Sequence, residues 1–295
     1  MSILTAGCKV NLGLRITGVR PDGYHEIDSL FYPLPRPYDQ IKLRVTDVSG
    51  ISVLCTGPGA GLLDAENNTL TKAYTAFAQA VDFPVPGLEA RLRKGIPSGA
   101  GLGGGSSDAA ALLLWLNGHV ATPLSSQALA EVALGVGADV PFFLHNCPCR
   151  VRGIGEIIES VDLDVSGMRL VLVCPEIHVS TPQTFADYDA FAAASHAAEK
   201  QNSLTREQSR ANGTFLSQGR FDADLGNDLE SVVFRRHPEL ADIKATLLGY
   251  GATAACMSGS GSSILGLFRR EALVEAQAAV AMLQGENRRV YAHVL

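Results

Sequence analysis

Glycine dominates the segment from Pro97 to Asp108, PSGAGLGGGSSD, which holds five glycines within seven positions and runs directly into the apolar sequence AAALLLWL. Glycine allows backbone conformations and close approaches that a Cβ atom excludes. The apolar run predicts a buried helix that begins at Ala109, and the residues from Ser106 to Asp108 can cap it. Unpaired N–H groups and the positive dipole end of a helix start bind anions. We therefore expect a phosphate-binding loop; the alternative is a flexible glycine turn with an ordinary serine cap.

Two common nucleotide-binding motifs do not fit this segment. Residues 99–104 satisfy GxGxxG, but a dinucleotide loop follows a fully buried parallel strand, and an acidic residue follows ~20 residues later at the next strand. Here the preceding LEARLR alternates between apolar and polar residues, Pro97 intervenes, and no such strand follows. The GK[ST] ending of a Walker loop is also missing from the sequence.

The composition and charge of the chain argue against binding to nucleic acid or to a membrane. The formal charge is −6, from 24 basic and 30 acidic residues, without a long run of like charge, which argues against nucleic acid or an anionic membrane. The longest uninterrupted apolar run, Ala109 to Leu116, is far shorter than the ~18 residues of a membrane span. The N-terminal sequence lacks the order of a signal peptide. We expect a cytoplasmic protein that binds any anionic ligand through local groups.

Six cysteines are scattered along the chain without a CxxC motif or a zinc-type Cys/His spacing. We expect them to be reduced and mostly buried. Cys147 and Cys149 are close in sequence, but two ligands are too few for zinc, which takes four.

The apolar periodicity predicts an α+β protein with two domains, residues 1–164 and 165–295. For the first domain we expect strands at 9–16, 41–45 and 88–93, and helices at 69–81, after the glycine loop and at 125–134. For the second we expect strands at 169–173, 264–268 and 290–295 and helices at 237–248 and 271–284. That second order is typical of a ferredoxin-like domain. Residues 190–222, with weak periodicity, indicate an exposed helix plus a loop.

Several segments together resemble the signature of the GHMP kinases, a superfamily that phosphorylates small metabolites. PSGAGLGGGSSDAA is similar to its phosphate loop, PxxxGLGGGSSxAA. The segments CKVNL, RPDGYHE and LGVGADVPF, which begin at Cys8, Arg20 and Leu134, resemble the branch that acts on 4-diphosphocytidyl-2-C-methyl-D-erythritol. MSGSG from Met257 extends the likeness over most of the chain. Asp108 stands where asparagine is frequent, which leaves open whether it caps the helix or neighbours a metal.

The resemblance implies a two-domain GHMP kinase fold, with an N-terminal domain like domain 2 of ribosomal protein S5 and a C-terminal ferredoxin-like domain. It also implies a catalytic pair, Asp139 as general base and Lys9 as its cationic partner. Asp139 follows two glycines, Gly135 and Gly137, so we expect it on a turn or at a helix start. A loose phosphoryl-transfer transition state needs few side chains beyond such a pair.

The resemblance further implies ATP as phosphoryl donor and Mg²⁺ as cofactor, with Ser107 as a magnesium ligand. The expected ATP-binding residues lie in the glycine loop and in two segments that precede it: Asn68, Lys94, Pro97, Gly99, Gly101, Leu102, Gly103, Gly104, Gly105, Ser106 and Ser107.

The expected acceptor is a CDP-linked alcohol, phosphorylated on its 2-hydroxyl in the non-mevalonate isoprenoid pathway. Tyr24 and His25 follow a Pro-Asp-Gly turn, where an aromatic ring and a neighbouring imidazole suit stacking and edge recognition of a base. Phe185 is the expected second aromatic, although it could be helix core, and Thr181 is a further substrate contact. Asn11, two residues beyond Lys9 on one strand face, can orient the hydroxyl.

Two alternatives remain open. One is a GHMP kinase for homoserine or mevalonate, whose substrates carry no base to stack. The other is a non-catalytic relative that binds only nucleotide or a partner protein. The expected partners are ATP and the CDP-linked substrate, without nucleic acid or membrane, and we expect a monomer or weak dimer.

Overall fold

The computed structural model describes residues 1–57, 68–201, 216–217, 220–221 and 225–295. Its strands are β1 Ser2–Val19, β2 His25–Thr46, β3 Ile51–Thr56, β4 Gly87–Arg93, β5 Cys149–Gly153, β6 Ile157–Ser160, β7 Arg169–Pro175, β8 Leu216–Ser217, β9 Arg220–Phe221, β10 Ala254–Met257, β11 Ile264–Phe268 and β12 Arg288–Val294. Its helices are α1 Thr69–Gln79, α2 Gly104–His119, α3 Ser126–Val136, α4 Val140–His145, α5 Thr181–Gln201, α6 Glu230–Arg236, α7 Pro238–Gly249 and α8 Leu273–Leu283.

The described chain forms two compact units, and each unit draws on more than one segment. The first unit comprises Met1–Val10, Phe31–Ser98 and Leu102–Val161. The second comprises Asn11–Leu30, Gly99–Gly101 and Asp162–Leu295. The sequence predicts one boundary after residue 164, whereas in the structure an early segment and three residues of the glycine loop are grouped with the later part of the chain. No described helix is both long enough and apolar enough to cross a membrane.

The first unit contains most of a six-stranded sheet with the order β3-β4-β2-β5-β6, in which β1 also pairs with β2. β3 runs parallel to β4, and β4 runs antiparallel to β2. Helices α1 and α2 pack together over this sheet, and their apolar side chains form one core with the strands. Fully buried members of that core include Phe31, Phe77 and Phe142.

Helix α2 begins five residues earlier than the sequence predicts, at Gly104 instead of Ala109. The predicted capping role of Ser106, Ser107 and Asp108 is wrong, because all three lie inside the helix and the N-cap is Gly103, without a side-chain cap. Glycine is a poor helix former, but a Cβ atom on Gly104 would lie 2.9 Å from the Ile96 side chain. Close packing therefore outweighs helix propensity at this start.

The second unit contains an antiparallel four-stranded sheet with the order β10-β11-β7-β12. Helices α5 to α7 separate β7 from β10, and α8 separates β11 from β12. This is the β-α-β-β-α-β arrangement that defines a ferredoxin-like domain, so the expected fold class is confirmed. Of residues 190–222, the first twelve continue α5 and four form β8 and β9; the rest lie outside the described residues.

Candidate functional site

Lys9 and Asp139 lie side by side in the first unit, 130 positions apart in sequence. The distance from Lys9 Nζ to Asp139 Oδ2 is 3.6 Å, with a nearly buried lysine side chain and an aspartate side chain that is 34% exposed. The ammonium also lies 4.3 Å from the centre of the Phe31 ring, where the electron-rich face of the ring attracts a cation. The structure thus brings together the two residues that the sequence analysis pairs.

Local folding explains where Asp139 stands. It is the residue before α4, as its predicted place at a helix start requires, and its side chain makes no helix-capping hydrogen bond. The apolar side chains of α4, among them Phe142 and Phe143, are buried and fix the helix. Gly155 passes close to Ala138: a Cβ atom on this glycine would lie 3.1 Å from that of Ala138. Asp139 therefore stands between closely packed neighbours, with a carboxylate that is partly exposed.

The glycine loop joins this pair through the backbone of β1. The Lys9 N–H donates a 3.0 Å hydrogen bond to the Leu102 carbonyl, and Leu102 is buried. Gly103 has φ 69° and ψ 23°, in the left-handed region. A Cβ atom there would lie 3.0 Å from the Phe143 ring and 3.2 Å from Lys9 Cγ. Glycine at position 103 therefore allows both the left-handed backbone conformation and the close packing beside Lys9 and Phe143.

Gly101, which belongs to the second unit, packs closely against Ser258 of the same unit. A Cβ atom on Gly101, which has φ 73°, would overlap the Ser258 carbonyl oxygen. The Ser258 hydroxyl donates to the Gly101 carbonyl at 2.9 Å, and it accepts from the Asn11 N–H at 3.1 Å. The space that a side chain at Gly101 would need is thus occupied by the backbone of Ser258.

Two of the predicted ATP-binding residues have structural partners. Asn68 is buried and caps α1, with its Oδ1 accepting from the Leu70 and Thr71 N–H groups at 2.9 and 3.0 Å. Lys94 is buried between two carboxylates, those of Asp39 and Asp108. For both residues the ATP-binding role stays a prediction.

Lys94, Asp39 and Asp108 form a buried charged cluster in the first unit, called here the carboxylate–lysine triad. Lys94 Nζ donates to Asp39 Oδ2, and to Asp108 Oδ2 at 2.9 Å. Burial is the largest cause that raises the pKa of Asp108, which reaches about 8. The Lys94 ammonium opposes this rise, and the Asp39 carboxylate adds to it. Burial lowers the pKa of Lys94, but the two carboxylates outweigh it and leave the pKa above its ordinary value.

An aromatic cluster in the second unit surrounds His25. The imidazole stacks on Phe185, with ring centres 4.7 Å apart and planes 27° apart, and meets the edge of Tyr188. His25 Nε2 lies 2.7 Å from Asp189 Oδ1. The structure thus brings His25 together with Phe185, whereas the neighbouring Tyr24 is 62% exposed.

The two other predicted substrate residues also have partners in the second unit. Asn11 is 1% exposed, and its Nδ2 donates to the Ser29 hydroxyl at 2.8 Å. Ser29 in turn donates to the Gly13 carbonyl at 2.6 Å. Thr181, at the start of α5, has its hydroxyl 2.7 Å from that of Ser260. Asn11 is thereby oriented by neighbours, and Thr181 joins α5 to the serine-rich turn after β10.

Sequence reasoning missed Asp39, Tyr188, Asp189 and Ser258. Ser258 had a signal, since it lies in the MSGSG segment. Tyr188 and Asp189 follow Phe185 by three and four positions, the spacing that places helix residues on one face. Asp39 had no signal, because its partners Lys94 and Asp108 are far from it in sequence.

Comparison with known proteins gives the class first. Residues 68–146 match the family "GHMP kinases N terminal domain", and residues 211–282 match "GHMP kinases C terminal". A homoserine kinase from Cytophaga hutchinsonii has the same fold, with a TM-score of 0.70 at 18% identity over 100% of this chain and 95% of that one. The chain belongs to the GHMP kinases.

Relatives that match the chain over nearly its full length identify its branch within the GHMP kinases. A 4-diphosphocytidyl-2-C-methyl-D-erythritol kinase from Nitratidesulfovibrio vulgaris is 47% identical over 99% of this chain and 98% of its own length. A crystal structure of a 4-(cytidine 5'-diphospho)-2C-methyl-D-erythritol kinase superimposes with a TM-score of 0.72 at 31% identity, over 99% of this chain and 98% of that one. Within the GHMP kinases, the chain therefore falls in the 4-diphosphocytidyl-2-C-methyl-D-erythritol kinase family, and it is an ATP-dependent kinase.

Proposed function

We propose that this kinase transfers the γ-phosphoryl group of ATP to the 2-hydroxyl of 4-diphosphocytidyl-2-C-methyl-D-erythritol, a step in the non-mevalonate route to isoprenoids. The observation that carries the chemistry is the Lys9–Asp139 pair at 3.6 Å. The cluster of His25 and Phe185 supports a substrate that contains a base, because a base can stack on aromatic rings.

In this mechanism the substrate hydroxyl attacks the γ-phosphorus while the bond from the γ-phosphorus to the bridging oxygen breaks. ADP leaves, and the hydroxyl proton passes to the Asp139 carboxylate. A carboxylate suffices as the base, because a loose transition state requires proton removal only late. The nearly buried Lys9 ammonium attracts the Asp139 carboxylate and would offset negative charge on the transferring group.

The glycine loop and the start of α2 are the proposed phosphate site. The first turn of α2 has neither a side-chain cap nor an acidic residue, so its N–H groups face no competing acceptor from a cap. Oriented amides and the positive dipole end attract phosphate oxygens. Gly103 to Ser107 would then hold the phosphates.

Ser107 is the proposed protein ligand for Mg²⁺. The described residues contain no group of three His, Cys, Asp or Glu side chains that could hold a metal by themselves. A single hydroxyl in the first turn of α2 nevertheless fits, because Mg²⁺ keeps several waters and binds mainly substrate phosphates with one or two protein groups. The ion would neutralise charge on the phosphate oxygens.

A substrate panel tests the proposal. We expect ADP release with ATP, Mg²⁺ and 4-diphosphocytidyl-2-C-methyl-D-erythritol, and none above background with homoserine, mevalonate or galactose. Asp82→Asn, an exposed acidic residue in the first unit, serves as the control for preparation quality and should equal the wild-type protein. Turnover of only homoserine, mevalonate or galactose would overturn the proposed substrate, and ATP binding without turnover of any acceptor would favour a non-catalytic role.

A further inference from the structure

The serine-rich turn between β10 and β11 contacts three residues that the sequence analysis assigns to the site. The Ser258 hydroxyl donates to the Gly101 carbonyl at 2.9 Å and accepts from the Asn11 N–H at 3.1 Å. The Ser260 hydroxyl lies 2.7 Å from that of Thr181. Gly101 is an expected ATP-binding residue, and Asn11 and Thr181 are expected substrate residues. The position of this turn therefore bears on both ligands.

The backbone of the serine-rich turn, residues 258–263, closes on itself. The Ser258 N–H donates to the Ser263 carbonyl at 2.8 Å, and the Gly261 N–H donates to the Ser258 carbonyl at 3.0 Å. These bonds fix the shape of the turn. Its place against the residues that it contacts depends on bonds to other segments of the chain.

Asn227 holds the start of this turn from such a segment. Its Nδ2 donates to the Met257 carbonyl at 2.8 Å and to the Gly259 carbonyl at 2.7 Å, and a side-chain amide has one hydrogen for each. The two carbonyls flank Ser258 in the sequence. Asn227 is 4% exposed, so loss of the amide would leave both carbonyls without these donors in a site with little access to water.

The Asn227 side chain is itself oriented by its neighbours. Its Oδ1 accepts from the Leu229 N–H at 3.0 Å. The backbone is held on both sides by β1, because the Leu14 N–H donates to the Gly226 carbonyl at 2.9 Å and the Asp228 N–H donates to the Leu14 carbonyl at 3.0 Å. The amide thus links β1 to the serine-rich turn in a fixed orientation.

Glu230, three residues further on, holds the residue before the turn. Its Oε1 accepts from the Met257 N–H at 2.8 Å, and its Oε2 accepts from Lys244 Nζ at 2.6 Å. The N–H of Met257 is therefore bound by Glu230, and its carbonyl is bound by Asn227. Asn227 reaches one step further, to Gly259 inside the turn, and is the better residue for a test.

We propose that Asn227 is a positioning residue for the kinase reaction, which acts by holding Ser258 in place. Held in this way, the Ser258 hydroxyl fixes the Gly101 carbonyl and the Asn11 backbone. The inference rests on the proposed function, in which Gly101 belongs to the ATP site and Asn11 orients the acceptor hydroxyl. These four residues all lie in the second unit.

Steady-state kinetics of Asn227→Ser tests this inference. A serine hydroxyl can still accept from the Leu229 N–H, but its one hydrogen cannot serve both carbonyls. We expect kcat for the CDP-linked substrate to fall about tenfold to hundredfold, the effect of a small misplacement of reacting groups. The KM for ATP should rise about threefold to tenfold, as for a weakened hydrogen bond. Loss of folded enzyme lowers kcat and leaves KM unchanged, so the rise in KM separates positioning from stability.

Two further variants make the test specific. Asn287→Ser makes the same change at an exposed asparagine of the second unit and should match the wild-type protein. Ser258→Ala removes the hydroxyl and leaves the carbonyls that Asn227 binds. If Asn227 acts through Ser258, adding Asn227→Ser to Ser258→Ala should lower kcat/KM by less than it does in the wild-type protein. Equal losses in both backgrounds would overturn the proposed role.

The remaining outcomes separate this inference from the proposed function. No turnover of the CDP-linked substrate by the wild-type protein would overturn the proposed function. Wild-type turnover, with an unchanged KM for ATP in Asn227→Ser, would overturn the role of Asn227 alone.

If Asn227→Ser does not fold, hydrogen exchange of the wild-type protein decides. A bound non-hydrolysable ATP analogue should slow amide exchange at residues 226–230 as well as at 257–261, because coupling between two sites is reciprocal. Exchange in α8 serves as the comparison and should stay the same. Unchanged exchange at 226–230 in the protein with bound analogue would contradict the inference.

Discussion

Two pairs, one in each compact unit, join a nearly buried nitrogen side chain to a more exposed carboxylate, yet their distances differ. Lys9 Nζ lies 3.6 Å from Asp139, with side-chain exposures of 5% and 34%. His25 Nε2 lies 2.7 Å from Asp189, with exposures of 7% and 54%. The first distance exceeds the usual range of an N–H···O hydrogen bond, and the second lies within it.

We interpret the difference as one between a proposed reacting pair, Lys9 and Asp139, and a proposed orienting pair, His25 and Asp189. At 3.6 Å, the opposite charges of Lys9 and Asp139 attract each other, but the distance exceeds that of a hydrogen bond. The Asp139 carboxylate can therefore still accept a hydroxyl proton. At 2.7 Å, Asp189 fixes one nitrogen of His25 and so sets the ring orientation against Phe185. The Lys9–Asp139 pair, called here the loose pair, should therefore govern the rate of turnover. The His25–Asp189 pair, called here the tight pair, should govern substrate affinity.

The largest expected effect is on the loose pair. Asp139→Asn keeps the shape and removes the base, and Lys9→Met removes the cation, so each should lower kcat by roughly 10²–10⁴, with a small change in KM. Steady-state ADP release measures both. Because the residues act together, the double variant should lose less than the product of the single losses. Full multiplicativity of the two losses would show that they act independently.

A smaller effect is expected at the aromatic cluster. Phe185→Ala removes a ring that can stack on a base, a loss of ~1–3 kcal/mol or ~5–150-fold in affinity for the CDP-linked substrate. Calorimetry with this substrate and with an ATP analogue measures it. ATP affinity should stay unchanged. Tyr24→Ala is the variant for comparison, because Tyr24 is 62% exposed. If the base stacks on Phe185 and His25, Tyr24→Ala should lose less affinity for the CDP-linked substrate than Phe185→Ala. An equal or larger loss at Tyr24 would favour stacking of the base on Tyr24, as the sequence analysis expects.

Much of the proposed site around Lys9, Asp139 and the glycine loop follows from contiguous segments of the sequence. The glycine loop, Lys9 and Asp139 each lie in a short motif, and backbone chemistry at a helix start depends mainly on nearby residues. The helix start itself was wrongly predicted because glycine opposes helix formation in isolation. Close packing of Gly104 on Ile96 overrides that preference, and contact between residues so placed cannot be deduced from propensity.

The aromatic cluster depends on long-range pairing, which one sequence does not reveal. His25 and Asp189 are 164 positions apart, and nothing in the local pattern of either predicts the other. The same holds for Asp39 and Lys94, which are 55 positions apart. The ferredoxin-like order of the second unit was predictable because strand and helix periodicities are local, whereas its side-chain partners were not.

The smallest and most discriminating effect is expected for Asp189→Asn. The amide oxygen can still accept a hydrogen bond from His25, and Asp189 is more than half exposed, so water screens the lost charge. We expect KM for the CDP-linked substrate to rise about twofold to tenfold, the effect of weakening one hydrogen bond, with kcat unchanged. Asp187→Asn is the matched control, because Asp187 lies on the same helix and pairs with Arg236 at 2.7 Å instead of His25. The two aspartates of α5 thus receive the same chemical change, and only one of them contacts the imidazole. A fall in kcat without a rise in KM in Asp189→Asn would place His25 in the chemical step and remove the distinction between the two pairs. Equal changes in both variants would instead assign the effect to α5 as a whole.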